Sequence, residues 1–73
     1  MTNIQLPETT YELTFYDREG EEDSVQTYTD EATGREVMNL FDELGSEELY
    51  SRIALTAYDW SKKESRFIAE LNV

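Results

Sequence analysis

The alternation of apolar and polar side chains predicts a β-strand near the start of the chain. Apolar residues occupy every second position there: Tyr11, Leu13 and Phe15. This spacing is typical of a half-buried strand, and the polar stretch 17–23, which contains Gly20, ends it. Residues 24–29 predict a second, weaker strand, because its two large apolar side chains, Val25 and Tyr28, fall on opposite faces. Together the two segments predict a β-hairpin.

The hydrophobic spacing changes to a helical period in the middle of the chain. Apolar residues recur at i, i+3, i+4 and i+7: Val37, Leu40, Phe41 and Leu44. Asp30 or Thr33 can cap the start of this helix, and Thr33 with Glu36 has the spacing of a capping box. Gly45 is placed as the left-handed C-terminal cap. The pattern therefore predicts a helix that ends at residue 44 and buries the leucine face.

Two further strands are predicted in the last third of the chain. The first alternates three apolar residues with mostly polar ones: Ile53, Leu55 and Ala57. After a polar loop over residues 60–65, the second places four apolar residues on one face: Phe67, Ala69, Leu71 and Val73. Ile68 lies on the other face of this strand. The loop and the two strands together predict a second hairpin.

These elements predict one α+β domain with the order ββαββ over residues 9–73, preceded by a lead-in at residues 1–8 that can be mobile. Placing the two most apolar strands, the first and the last, at the centre gives a β-grasp-like, four-stranded mixed sheet. In this arrangement the central strands are parallel and the helix packs across one face. A sheet in chain order is the alternative, and it would leave the apolar last strand on an exposed edge.

Two short segments are similar to the immunoglobulin-binding domain of streptococcal protein G. The first is the run that leads into Val37: Asp30, Glu31, Ala32 and Thr33. The second is the hairpin that starts at Tyr58 and Asp59 and passes through Lys62 to Phe67. The resemblance implies the fold only, since the hairpin loop is two residues longer than in that family. It implies no antibody binding, because Arg35 and Asn39 replace the acid and the lysine of the family's helix.

Charge and composition exclude several kinds of functional site and disfavour several kinds of partner. The chain has 17 acidic and 6 basic residues, a net charge of -11, and neither cysteine nor histidine. Thiolate or imidazole zinc sites, thiol nucleophiles and histidine-based triads are therefore excluded. The negative charge disfavours direct binding to nucleic acids and to anionic membranes. Because no signal peptide is visible, we expect a cytoplasmic protein.

Acidic side chains form the first candidate binding surface. They occur at the tip of the first hairpin and along the back and the end of the helix: Asp17, Glu19, Glu21, Glu22, Asp23, Glu36, Asp42, Glu43, Glu47 and Glu48. The hairpin tip does not follow the calcium-binding EF-hand pattern, because Gly20 is at position four and Tyr28 at position twelve of the loop. No feature of the sequence identifies two of these acids as a catalytic pair. We therefore expect no metal, no cofactor and no enzymatic activity.

Aromatic side chains form the alternative surface. The predicted strands direct Tyr16, Tyr28 and Tyr58 away from the helix, and Trp60 lies in the following loop. Tyrosine and tryptophan are enriched at binding hot spots, although cross-strand tyrosines also stabilise a sheet without any partner.

Two functions remain open on these grounds. The first is a non-enzymatic acidic module that docks on a basic protein surface, one form of which is a nucleic-acid-mimicking inhibitor from a phage or mobile element. The alternative is a small structural or assembly subunit that binds through an edge strand and the aromatic face.

Overall fold

A computed structural model describes residues 7–45 and 49–72, which form one small α+β domain with a four-stranded sheet and one helix. The elements follow in the order β1 (Thr9–Tyr16), β2 (Glu22–Tyr28), α1 (Glu31–Leu44), β3 (Arg52–Asp59) and β4 (Glu64–Asn72). β2 begins two residues earlier than the sequence pattern indicates, and β4 begins inside the predicted loop. Most of the predicted lead-in, and Val73, lie outside the described residues.

The sheet has the order β2-β1-β3-β4, and every neighbouring pair is antiparallel. The predicted β-grasp arrangement is therefore wrong: β1 and β3 are the central strands, and β4 lies on an edge. The order is not that of the chain either. Because β2 and β3 both run antiparallel to β1, they are parallel to each other, and α1 connects them by crossing over β1.

The side chains of β3 explain its central position. Ile53 and Leu55 face the helix and are fully buried, while Ala54, on the opposite face, is buried as well. Small and aliphatic side chains on both faces suit a strand with neighbours on each side. β4 is less buried than its composition indicates, since Phe67 remains 60% exposed.

A bulge explains the exposure of Phe67. The register of β3 and β4 shifts between Leu55 and Thr56, so that Ala69 pairs with Leu55 while Phe67 pairs with Thr56. The bulge inserts one extra residue into β4, and this residue reverses the faces on which the preceding positions of β4 lie. Phe67 therefore points to the helix-free face, and the prediction that it shares a face with Ala69 and Leu71 is wrong. Ile68, expected on the helix-free face, instead packs against the core.

The caps of α1 define its length. The Asp30 carboxylate accepts hydrogen bonds from the backbone amide of Thr33, at 2.8 Å, and from its hydroxyl. Asp30 is therefore the N-cap, and these hydrogen bonds hold the pKa of its carboxyl below the usual value. Gly45 adopts the left-handed conformation with φ 70°, as predicted for the C-terminal cap.

The helix buries a different stripe from the predicted one. The stripe contains two buried and two half-buried residues: Gly34, Met38, Val37 and Phe41. Its spacing is the predicted i, i+3, i+4 and i+7, but the helix is rotated by about 60° about its axis. Leu40 and Leu44 are consequently 53% and 78% exposed, and the prediction that they are buried is wrong.

A glycine allows this orientation. A Cβ placed on Gly34 would lie 2.9 Å from Cδ1 of Leu55, which is closer than carbon atoms pack. The absence of a side chain at Gly34 therefore lets the backbone of α1 lie directly against Leu55. Beside this contact, the rings of Phe15, Phe41 and Tyr50 meet with centroids 4.9 to 6.1 Å apart, which fixes the last turns of α1 on β1.

Candidate protein-binding surface

The strand register places the tip of the first hairpin and the end of α1 at the same end of the sheet. Tyr16, the last residue of β1, pairs with Glu22 and with Arg52, the first residue of β3. α1 starts at the opposite end, after Tyr28, and its last turns pack on Phe15 near the end of β1. The two acidic segments, which are separate in sequence, therefore come together in the fold.

We call this surface the acidic end and define it by the predicted acids that it contains: Asp17, Glu19, Glu21, Glu22, Asp23, Asp42 and Glu43. Glu36 lies two turns earlier on the exposed side of the helix, about 10 Å from Glu43 along the axis. Glu47 and Glu48, which were predicted to belong to the same surface, lie outside the described residues. α1 has no basic residue in its last turn, so its negative dipole end adds to the acids.

Asp17 shapes the hairpin tip as well as charging it. Its Oδ1 accepts the backbone amides of Glu19 and Glu21 at 2.9 and 3.0 Å. Gly20 completes the turn with φ 84°, a conformation that glycine adopts without strain. The backbone oxygen of Asp17 accepts the hydroxyl of Ser51 at 2.6 Å, which ties the tip to the start of β3. The acids of the tip therefore project from an ordered turn.

Most acids of the acidic end are exposed to solvent. Elsewhere in the described residues, Arg35 forms an ion pair with Glu31 at 2.8 Å, and Arg52 forms one with Glu70 at 3.6 Å. Both pairs use acids that lie outside the acidic end. The arrangement can therefore attract a cationic surface from solvent.

The structure does not assemble the predicted aromatic face as a single cluster. Tyr28 pairs with Tyr11 and packs against the core on the helix side, so the prediction that it points away from the helix is wrong. Tyr16 and Tyr58 do lie on the helix-free face, but the register puts them at opposite ends of it, about 20 Å apart. Tyr16 is covered by Arg52, whose guanidinium carbon lies 4.1 Å from the ring centroid.

Trp60 and Tyr58 form a smaller contact at the end of the sheet opposite the acidic end. Their rings meet edge to face with centroids 4.7 Å apart. The Trp60 indole donates a hydrogen bond to Oγ1 of Thr10 at 2.9 Å, and its backbone amide donates to the oxygen of Glu8. These contacts join the second hairpin to the start of β1.

Phe67 is the residue of this surface that the sequence pattern misses. Its partner Thr56 lies two positions before Tyr58 on β3, so Phe67 is a diagonal neighbour of Tyr58 on the helix-free face. We call Tyr58, Trp60 and Phe67 the aromatic patch. Strict alternation along β4 assigns Phe67 to the same face as Ala69 and Leu71, because no residue in the strand indicates the bulge.

A small polar cleft lies beside the second hairpin, on the helix side of the sheet. It has a volume of about 200 Å³ and is lined by residues of β1, β3 and β4 and of the turn: Thr9, Ala57, Asp59, Lys62, Glu64, Ser65 and Arg66. Asp59 accepts hydrogen bonds from the Ser61 hydroxyl at 2.7 Å and from the Lys62 amide at 3.2 Å, which hold the pKa of its carboxyl below the usual value. This carboxylate shapes the turn.

In the described part of the chain, no group of three or more acids is arranged to hold a metal ion. No helix within these same residues is long and apolar enough to cross a membrane.

Comparisons with protein-family models, with curated proteins and with solved structures found no match to this chain.

Proposed function

We propose that this protein is a non-enzymatic binding module whose acidic end docks on a basic surface of another protein. The observation that carries the proposal is the convergence of the first hairpin tip and the end of α1 at one end of the sheet. Acids grouped on a rigid frame give a directed electrostatic field, whereas acids needed only for solubility can be dispersed.

The nucleic-acid-mimicking inhibitor is the most specific form of this proposal. A basic cleft that binds the phosphates of a nucleic acid would also accept spaced carboxylates that are held by a turn and a helix. Two features support this form. The hydrogen-bonded turn around Asp17 fixes the acids of the hairpin tip, and the helix fixes Glu36 and Glu43 seven residues apart. A partner of this kind would release its nucleic acid when the module binds.

The test uses a partner captured at low salt and then purified, with affinity measured at about 50 and 500 mM salt. We expect a steep loss of affinity with salt, and a loss of about tenfold for the variant E19Q/E21Q. The control variant E8Q/E64Q removes the same amount of charge from exposed acids outside the acidic end, and should bind almost as the parent does. Equal effects of the two variants, or no salt dependence, would contradict docking through the acidic end.

A role as an assembly subunit is the second proposal, and the aromatic patch supports it. Trp60 and Phe67 are 56% and 60% exposed, and Phe67 lies on β4, an edge strand of the sheet. Exposed aromatic side chains at an open edge favour association that buries apolar area. Such binding should persist at about 500 mM salt and weaken in Phe67→Ser, whereas E19Q/E21Q should leave it unchanged.

A further inference from the structure

The exposed leucines of α1 form an apolar surface that neither the fold nor the acidic end explains. We call Leu40 and Leu44 the leucine ridge; they are 53% and 78% exposed. Because they are four residues apart on a helix, their side chains are neighbours, about 6 Å from each other. Val37, which is half-buried, precedes Leu40 by three residues and lies next to it on the side that faces the sheet.

Acids border the leucine ridge along its outer side. Glu36 precedes Leu40 by four residues and Glu43 follows it by three, so both are its neighbours on the helix surface. Apolar side chains with a polar rim are the usual anatomy of a binding hot spot. Leu44 is the last residue of α1, and the ridge is therefore continuous with the acidic end.

From this arrangement we propose that the leucine ridge binds a basic amphipathic helix of the partner protein, an inference that rests on the proposed function. The spacing of Leu40 and Leu44 matches the i, i+4 spacing of apolar side chains along such a helix. Lysine or arginine side chains flanking its apolar face would reach Glu36 and Glu43. A second copy of this chain fits less well, because it would bring the same acids against them.

The experiment measures the binding of two synthetic peptides to the whole protein by fluorescence anisotropy. One is a leucine–lysine peptide with the periodicity of an amphipathic helix, and the other has the same composition in scrambled order. The protein variants are L40A/L44A, which removes the ridge, E19Q/E21Q, which removes charge from the acidic end, and the control E8Q/E64Q. Alanine retains helix propensity at the exposed positions, and thermal melting verifies that each variant folds.

We expect the amphipathic peptide to bind the parent protein at least tenfold more tightly than the scrambled one. L40A/L44A should abolish this difference and leave the weaker, salt-dependent binding of the scrambled peptide. If both peptides bind equally and only E19Q/E21Q weakens them, the ridge proposal is overturned while docking through the acidic end stands. If E19Q/E21Q and E8Q/E64Q bind each peptide with the same affinity, the acidic end itself is not the docking surface. Self-association that L40A/L44A abolishes, detected by sedimentation, would assign the ridge to a second copy and also overturn the proposal.

Discussion

Replacing Gly34 with alanine tests how closely α1 approaches the sheet. In the interior of a helix alanine is about 1 kcal/mol more favourable than glycine, so the substitution alone would stabilise the protein. The added Cβ, however, would lie 2.9 Å from Cδ1 of Leu55, so this fully buried side chain would have to shift within the core. Overpacking of this kind costs about 1 to 3 kcal/mol. We therefore expect Gly34→Ala to reduce the free energy of unfolding by about 1 kcal/mol.

A second substitution separates the two opposing effects. Leu55→Val replaces the two δ carbons with a second γ carbon, and by itself costs about 1 kcal/mol for the one carbon lost. The next atom of Leu55, Cγ, is 4.0 Å from the added Cβ, which is ordinary contact. In the Leu55→Val background, Gly34→Ala should therefore stabilise the protein by about 1 kcal/mol. The double-mutant cycle predicts a coupling energy of about 2 kcal/mol between the two sites.

Urea denaturation followed by far-ultraviolet circular dichroism measures all four variants. For a domain of this size a change of 1 kcal/mol moves the midpoint by about 1 M urea, which is well resolved. If Gly34→Ala has the same effect in both backgrounds, the close approach of α1 to Leu55 does not exist, and the rotated position of the helix is wrong.

Three further predictions concern the start and the centre of the helix and the second hairpin. Because the hydrogen bonds from Thr33 lower the pKa of Asp30 in the folded state, its ionised carboxyl contributes stability above the unfolded pKa, and this contribution is lost as pH falls through the folded pKa. Asp30→Asn keeps a capping oxygen but not the charge, so it should lower the melting temperature slightly at neutral pH, and its melting temperature should approach that of the parent as the pH falls through this range; a difference that is the same at every pH would contradict this reasoning. Trp60→Phe leaves Thr10 without its indole donor and should lower the free energy of unfolding by about 1 kcal/mol, whereas no change in a urea melt would show that this hydrogen bond contributes nothing. Met38→Ala empties a buried site under the helix and should cost about 2 to 3 kcal/mol, and a cost below 1 kcal/mol in the same assay would place Met38 outside the core.

Local patterns predicted the elements of this fold better than their arrangement. Hairpin and helix signals are local, and the caps at Asp30 and Gly45 follow directly from side-chain chemistry and from the conformational freedom of glycine. The strand order depends on which strand buries both faces. In β3 the decisive residue is Ala54, whose small side chain is compatible with either an edge or a centre, so the pattern alone favoured β4.

Helix orientation and strand faces depend on contacts that are remote in sequence. Leu40 and Leu44 complete an apolar stripe, yet the neighbouring stripe, which contains Gly34 and Met38, packs against the sheet. It does so because Gly34 lets the backbone of α1 approach Leu55. Tyr28 faces the core because it pairs with Tyr11 on β1. The acids themselves could be named from sequence, since charge alone identifies them, but their convergence required the register of three strands.

The pairing of β1 with β3 also determines when the sheet can form during synthesis. Thr10 and Trp60 are hydrogen-bonded although 50 residues separate them, and β1 reaches its central position only when β3 lies beside it. A nascent chain that ends after α1 can form the first hairpin and the helix, but it lacks the strand that buries their shared apolar face. Closing so long a loop costs entropy before any contact compensates for it, which slows folding. The acidic end therefore takes its final shape only after β3 has left the ribosome.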